Sequence, residues 1–288
     1  MTIKSVSSKR RFDSAGFTLV EFLIAVFLAA VVATAAMGIY VAQNSTLTAR
    51  DEAPDMQANA RAAAVELATR IRMAGFNVPE GIPKLQSSNT DPDTITITYD
   101  SGEFEDVTLE SPMTEPYSEL RCDGNDIGAL NDGDWAFIYD LSTKSGEFFL
   151  ATRVDAASAT IHHSTMPLSG LYPAGSQVIM MKRFKYYIDS SDPDHPNLIC
   201  WTHRTGPQVF AEDIADFNLR YVLAGGEEVD VFPDESMVRE VIITLNASTD
   251  APDREFDTNY EKRILRTMVT VRNLASQHDE KNEINDKL

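Results

Sequence analysis

The feature that most constrains this 288-residue chain is an uninterrupted apolar run near its N-terminus, at residues 22–42. The run contains no acidic or basic side chain, and as an α-helix it would rise about 30 Å, which is the thickness of one bilayer core. Four basic residues precede it, at positions 4, 9, 10 and 11. By the positive-inside rule, this arrangement predicts a membrane-spanning helix with residues 1–16 in the cytoplasm and the remaining chain exported.

The charge of the chain lies mostly after the apolar run and is strongly acidic. There are 44 Asp and Glu residues against 25 Lys and Arg residues, for a net charge of −19. Duplex DNA and anionic membrane surfaces are themselves polyanions, so no nucleic-acid partner is expected. An apolar content of 43% is sufficient for a folded core, which excludes a wholly disordered chain.

Glu21 is the only charged residue at positions 17–40. A carboxylate in a membrane helix costs about 2.5–3.5 kcal/mol and usually marks a function with a cationic partner. The next basic residue on the same helix is Arg50, so we expect the partner to be another chain, or an amine created by cleavage between Gly16 and Phe17. Two simpler interpretations stay open: a secretory signal peptide cut near residues 33–35, and a plain membrane anchor. Neither explains Glu21.

Small residues recur at every fourth position of the apolar run. This spacing lets helices approach closely in lipid or in a filament core, and it predicts helix packing with neighbouring subunits. The two series are Ala25, Ala29 and Ala33, and Ala30, Thr34 and Gly38.

A second helix is predicted at residues 55–74, after the helix-disturbing Pro54. Asp55 is the expected N-cap and Gly75 the expected stop. Its apolar stripe predicts a face that packs on a sheet. The stripe consists of Ala64, Leu67, Ile71 and Ala74.

The remaining chain has the alternation of β-strands, separated by clusters of turn residues. These patterns predict an α+β protein with a long N-terminal helix packed on a mostly antiparallel β-sheet head. The strands are predicted at residues 94–99, 135–140, 147–154, 178–188, 198–203, 217–222, 238–246 and 264–271.

The only cysteines are Cys122 and Cys200, and an exported position favours a disulfide between them over two buried thiols. Cys200 with His195 and His203 falls short of four convergent zinc ligands, and adjacent His162 and His163 point apart on a strand. The acidic turns at residues 123–126 and 131–134 do not match a calcium loop and are expected to be turns, with calcium binding as a minor alternative. We therefore expect no metal and no cofactor. No catalytic motif marks an enzyme, although an exported hydrolase stays a minor alternative.

The string Gly16-Phe17-Thr18-Leu19-Val20-Glu21, between a basic leader and an apolar run, resembles the class III signal of type IV pilins. The resemblance implies that a prepilin peptidase cuts after Gly16 and methylates the amine of Phe17. It also implies that Glu21 neutralises the N-terminus of a neighbouring subunit during filament assembly. The partners would be the peptidase, other minor and major pilins, and an inner-membrane assembly platform.

The segment from Arg70 to Phe76, with several motifs in the strands, resembles the PilW family of minor pilins. The related J-type pseudopilin of type II secretion shares this plan and is the alternative within the class. A membrane-anchored or secreted acidic binding domain is the alternative from another class. The resemblance implies a helix of about 55 residues carrying a β-rich head, without catalytic activity. The expected segments are a leader at 1–16, an apolar transmembrane and filament-core helix at 17–53, an amphipathic helix at 54–75, a periplasmic or extracellular head at 76–273 and a polar tail at 274–288.

Overall fold

The structure is a computed structural model that describes residues 18–102, 107–123, 127–163, 167–249 and 262–274. Side chains of the N-terminal helix are described for residues 18–41, for residue 54 and from residue 56 onward. Within these ranges one long helix precedes fifteen β-strands. The predicted α+β fold, an N-terminal helix followed by a mostly antiparallel β-sheet head, is confirmed.

Helix α1 spans Leu19–Met73 and is 55 residues long. The sequence predicts a helix start after Pro54, but the helix continues through this proline, and Asp55 is therefore not an N-cap. A proline inside a helix removes one hydrogen bond and costs about 3 kcal/mol. The residues that follow Pro54 bury their apolar face on the head, and this burial offsets the cost.

The helix ends where the sequence predicts. Ala74 is the C-cap, and Gly75 takes the left-handed conformation with φ of 81°. The backbone N–H of Gly75 donates to the carbonyl of Thr98 at 2.9 Å, which ties the helix end to the sheet. A Cβ at this glycine would lie 3.0 Å from Leu274 Cδ2, so the close approach also favours glycine.

The second half of α1 packs on the head through the predicted stripe. Leu67, Ile71 and Ala74 have no exposed surface, and Ala64 is buried beside them. Beside the stripe, Arg70 pairs with Glu66 one turn earlier at 2.8 Å. The stripe is widened by further buried residues on the same side, namely Met56, Ala60, Ala63 and Ala68.

The strands of the head are short except for those that carry the main core. They are β1 Leu85–Ser88, β2 Thr94–Asp100, β3 Leu120–Arg121, β4 Trp135–Asp140, β5 Ser145–Leu150, β6 Arg153–Asp155, β7 Thr160–His162, β8 Gln177–Ile179, β9 Met181–Asp189, β10 Asn197–Thr202, β11 Gly206–Ala211, β12 Ile214–Leu223, β13 Glu228–Val229, β14 Val238–Ser248 and β15 Lys262–Thr270. A 3₁₀ turn, Glu235–Met237, precedes β14.

These strands form four sheets, and every pairing between them is antiparallel. The larger sheets have the orders β1-β2-β9-β10-β11 and β13-β12-β14-β15. The smaller sheets have the orders β3-β7-β6 and β5-β4-β8.

Residues 101–180 are inserted between two neighbouring strands of a larger sheet, and we call them the inserted module. Strand β2 pairs directly with β9, although the whole module lies between them in the chain. The module leaves and returns at one point, because the backbone N–H of Ser101 donates to the carbonyl of Met180 at 3.2 Å. The two smaller sheets, β3 to β8, belong to it.

The inserted module has its own hydrophobic core. The first core joins the second half of α1 to the larger sheets and contains Leu67, Tyr186 and Phe217. The second core lies within the module around Ile138 and Phe149. A smaller cluster of six buried residues lies at the junction: Val78, Ile82, Phe137, Tyr139, Ile179 and Met181.

Some predicted strand boundaries are wrong. The predicted strand at 178–188 is two strands, because β8 pairs with β4 in the inserted module whereas β9 pairs with β2. The predicted strand at 147–154 is split into β5 and β6, since the N–H of Ala151 donates instead to the carbonyl of Asp134. Strand choice here depends on partners that are distant in sequence.

The predicted polar tail begins one residue too early. Leu274 is buried in the first core, where it faces Gly75 at the end of α1. Asn273 Nδ2 donates to the carbonyl of Arg72 at 3.4 Å and fixes this segment to the helix end. Residues 275–288 lie outside the described residues.

Candidate functional site

The N-terminal half of α1 is an apolar surface without a partner in this chain. Leu19–Val41 is 23 residues long and reaches a mean hydropathy of 2.6 in its most apolar stretch, and none of it is buried. It is the one helix in the described part of the chain that is long and apolar enough to cross a membrane. A helix that is apolar on all sides is stable only in lipid or among other helices, so these surroundings come from outside the described chain.

Glu21 forms a capping box with Thr18 at the start of this helix. Thr18 is the N-cap in extended conformation, and its Oγ1 accepts from the backbone N–H of Glu21 at 3.3 Å. In return, Glu21 Oε2 accepts from the backbone N–H of Thr18 at 2.9 Å and from Thr18 Oγ1 at 2.8 Å. The box satisfies backbone donors that the first turn of any helix leaves unpaired.

The capping box adds a contact that the argument from sequence missed. That argument expected a cationic partner for the Glu21 carboxylate in another chain or in a newly made amine, and because Thr18 is uncharged, this expectation stays a prediction. The missed signal was the sequence Thr18-x-x-Glu21 ahead of an apolar run, the pattern of a capping box. Gly16 and Phe17, the predicted processing site, lie outside the described residues.

The small residues predicted to pack against neighbours lie along the exposed half of α1. Ala25, Ala29 and Ala33 are exposed, as are Ala30, Thr34 and Gly38. Thr34 Oγ1 donates to the carbonyl of Ala30 at 2.8 Å, so this hydroxyl is satisfied within the helix. A Cβ at Gly38 would meet no atom within 4 Å, so this chain leaves room for a partner there. Packing with neighbouring subunits stays a prediction.

The two cysteines are free thiols in separate parts of the head, so the expected disulfide is not formed in the structure. Cys122 is buried in the second core, and burial together with the charge of Asp123 raises the pKa of its thiol to about 12. Cys200 packs at the edge of the first core, where burial also raises its pKa. Both thiols are therefore protonated and unreactive at neutral pH.

The histidines and acidic turns considered as metal ligands have other partners. His195 Nδ1 lies 3.0 Å from Asp213 Oδ1, and His163 Nε2 lies 2.7 Å from the carbonyl of Ser118. Asp134 accepts from the backbone N–H of Asn131 at 3.0 Å, which makes residues 131–134 a turn, as predicted. In the ranges that the structure describes, no three His, Cys, Asp or Glu side chains could hold a metal together.

Comparison with known proteins identifies the N-terminal segment alone. No curated protein and no solved structure matches this chain. The family model of the prokaryotic N-terminal methylation motif matches residues 11–37, from the end of the basic leader into the exposed half of α1. This motif belongs to structural rather than catalytic proteins and implies processing by prepilin peptidase and association with a membrane. The match therefore supports a type IV pilin-like or pseudopilin-like protein.

Proposed function

We propose that this chain is a minor pilin-like structural subunit that takes part in type IV pilus assembly, in the priming or tip complex. The observation that carries the proposal is the methylation motif at residues 11–37, which leads without a break into one helix that bears a β-rich head. Prepilin peptidase would cut between Gly16 and Phe17 and methylate Phe17. Catalysis has no part in this function.

The exposed half of α1 would be surrounded first by lipid and later by the helices of other subunits. Before assembly, Leu19–Val41 would span the inner membrane once, with the leader in the cytoplasm and the head in the periplasm. During assembly, contacts with other minor and major pilins would replace the lipid, and the small residues around Ala29 would allow close approach. The inner-membrane assembly platform would transfer the subunit to the pilus at the cell surface.

Glu21 would carry the assembly contact. Its two described hydrogen bonds both use Oε2, so Oε1 has no partner among the described residues. The carboxylate lies at the N–H of Thr18, one residue from the amine that cleavage would create at Phe17. A neighbouring subunit's N-terminal ammonium at Oε1 would form a charge-assisted hydrogen bond without breaking the capping box.

The first test is the mass of the mature N-terminus in cells with and without prepilin peptidase. We expect N-methylated Phe17 in the first case and an intact leader in the second. An N-terminus near residue 36, or an uncleaved chain in both strains, would contradict the proposal. Those outcomes would favour a secreted or a membrane-anchored acidic binding domain.

A second test separates assembly from processing. Glu21→Gln keeps an acceptor for Thr18 but removes the charge, so we expect the variant to be cleaved but absent from sheared filaments. Glu66→Gln is the matched control, because Glu66 is an exposed carboxylate later on the same helix, and its removal should leave filament entry unchanged. Equal incorporation of both variants would rule out the assembly role of Glu21.

The J-type pseudopilin of type II secretion is the second candidate, because the methylation motif is common to pilins and pseudopilins. The large head favours the PilW-type minor pilin. Deleting the gene separates the two candidates. Loss of surface pili with normal protein secretion supports the minor pilin, whereas loss of secretion with normal pili supports the pseudopilin.

A further inference from the structure

A cleft of about 760 Å³ lies where the inserted module meets the larger sheets. Strands β4 and β5 of the module contribute Trp135 and Phe148, and β9 with the β10–β11 turn contributes Arg183, His203 and Arg204. Its size falls within the range of small-molecule sites, and such sites often lie between two folded units. The residues that line this cleft are distant in sequence from the methylation motif, and pilus assembly as proposed above does not use the cleft.

The wall of the cleft is aromatic. The ring of His203 lies 4.3 Å from that of Phe148 and 4.9 Å from that of Trp135, measured between centroids. Trp201 packs edge-on against the same histidine at 4.8 Å. Burial, with the nearby charge of Arg183, lowers the pKa of His203, so this ring is neutral at neutral pH. It therefore acts as one more flat aromatic surface.

The charge of the cleft is opposite to that of the chain. Four basic residues line it, and Asp134 is the only carboxylate among its lining residues. In the whole chain, acidic residues outnumber basic ones by 44 to 25. The four basic residues are Arg70, Lys182, Arg183 and Arg204.

Among these basic residues, Arg183 is the one whose surroundings point to a ligand. Its side chain is half-buried, lies 4.8 Å from the ring of Phe148 and donates from Nε to Thr98 Oγ1 at 3.3 Å. No salt bridge joins it to an Asp or Glu in the described ranges, whereas Arg70 pairs with Glu66 and Arg204 lies 3.5 Å from Asp134. Burial lowers its pKa, which reflects the cost of holding an unneutralised guanidinium away from water. An anion beside Arg183 would relieve this cost.

We propose that this cleft binds an acidic saccharide, with the carboxylate on Arg183 and a sugar ring against the indole of Trp135. A guanidinium binds a carboxylate through two parallel hydrogen bonds. The apolar C–H face of a sugar ring packs on the flat face of an aromatic side chain. The rim supplies the hydroxyl and amide groups that sugar hydroxyls need. These groups belong to Asn131, Thr202, Thr205 and Gln208.

The test is calorimetric titration of the full-length protein in an oxyethylene detergent, whose head group carries no sugar. The probes are α-1,4-linked trigalacturonate, the neutral trisaccharide maltotriose, and benzoate as a ring anion without hydroxyls. We expect saturable binding of trigalacturonate and at least tenfold weaker binding of the other two. Both tryptophans of the chain contact His203, so their emission gives a second readout of the same site.

Variants assign the binding to Arg183. Arg183→Gln should weaken trigalacturonate binding at least tenfold, whereas Arg121→Gln, which removes an exposed arginine of β3, should leave it unchanged. If Arg183→Gln lowers the melting temperature markedly, the exposed Lys182→Gln replaces it, with an expected loss of at least threefold. Absent binding, equal affinity for maltotriose, tighter binding of benzoate, or an unchanged affinity in the folded variant would each overturn the proposal.

Discussion

The two halves of helix α1 share one backbone and have opposite surroundings. Leu28, in the first half, is 56% exposed, whereas Leu67, in the second half, has no exposed surface. The first half is apolar on every side, and the second half has one apolar stripe backed by charged residues such as Glu66 and Arg70. The second half is stabilised by its own head. The first half needs a membrane or neighbouring helices, and this requirement is the basis of the proposed function.

The strongest test of this comparison changes one leucine to alanine in each half of the helix. Leu67→Ala should lower the free energy of unfolding of the head by about 2–5 kcal/mol, because it leaves a cavity in the first core. Leu28→Ala should not change it. The measurement is urea unfolding in detergent followed by tryptophan emission, since both tryptophans lie in the head. An equal loss in the two variants would show that the first half also packs on the head.

Enlarging a small residue is the converse test. Ala64→Leu should destabilise the head by about 1–3 kcal/mol, because Ala64 is buried between α1 and the sheets and has no room for three more carbons. Ala29→Leu is the matched change in the exposed half, and we expect the same unfolding curve as for the unchanged protein. Destabilisation of the head by Ala29→Leu would contradict the separation of the two halves.

Glycine has different roles in the exposed half of α1 and just after the end of the helix. Gly75→Ala should cost about 1–2 kcal/mol, because φ of 81° is unfavourable for a residue with a Cβ. The close approach of Leu274 adds to this cost. Gly38→Ala should leave the stability of the head unchanged, since no atom lies within 4 Å of the added carbon. Both can be measured as shifts of the urea midpoint, and similar shifts would argue against the structure at Gly75.

The smallest expected effect is confined to the first turn. Thr18→Ala removes the hydroxyl of the capping box and should weaken the first turn by about 1 kcal/mol, with no change in the head. Amide hydrogen exchange of residues 19–22 in detergent should become about fivefold faster. Thr18→Ser keeps the hydroxyl and should exchange like the unchanged protein. Equal exchange in the alanine variant would show that the box does not stabilise this turn.

Local patterns predicted the helix better than the head. The stripe from Ala64 to Ala74 and the stop at Gly75 depend on residues three to four positions apart, and the structure confirms both. The strand at Trp135–Asp140 was also predicted with its observed bounds. Strands β1 and β11 were missed, because their sequences show no alternation of apolar and polar residues. Strands β3, β7 and β13 were also missed, because each has only two or three residues.

The cleft could not be predicted from any single segment. A basic cluster such as Lys182, Arg183 and Lys185 is typical of the solvated side of a strand, and the two lysines are indeed exposed. Arg183 is half-buried, because the insertion between β2 and β9 places Phe148 over it. Cys200 and His203 were compared with a zinc motif, yet His203 lies in an aromatic cluster whose other members come from β4, β5 and β10.

The sequence by itself determined the apolar helix, its methylation motif, the stripe that docks on the head and the glycine that ends the helix. Each of these follows from neighbours within one or two helical turns. Only the tertiary structure decided that β2 pairs with β9 across the inserted module, that Leu274 closes the first core and that Arg183 faces aromatic rings. Strand partners and junctions between cores depend on contacts between distant segments, and one strand's residue pattern does not specify which partner it will have.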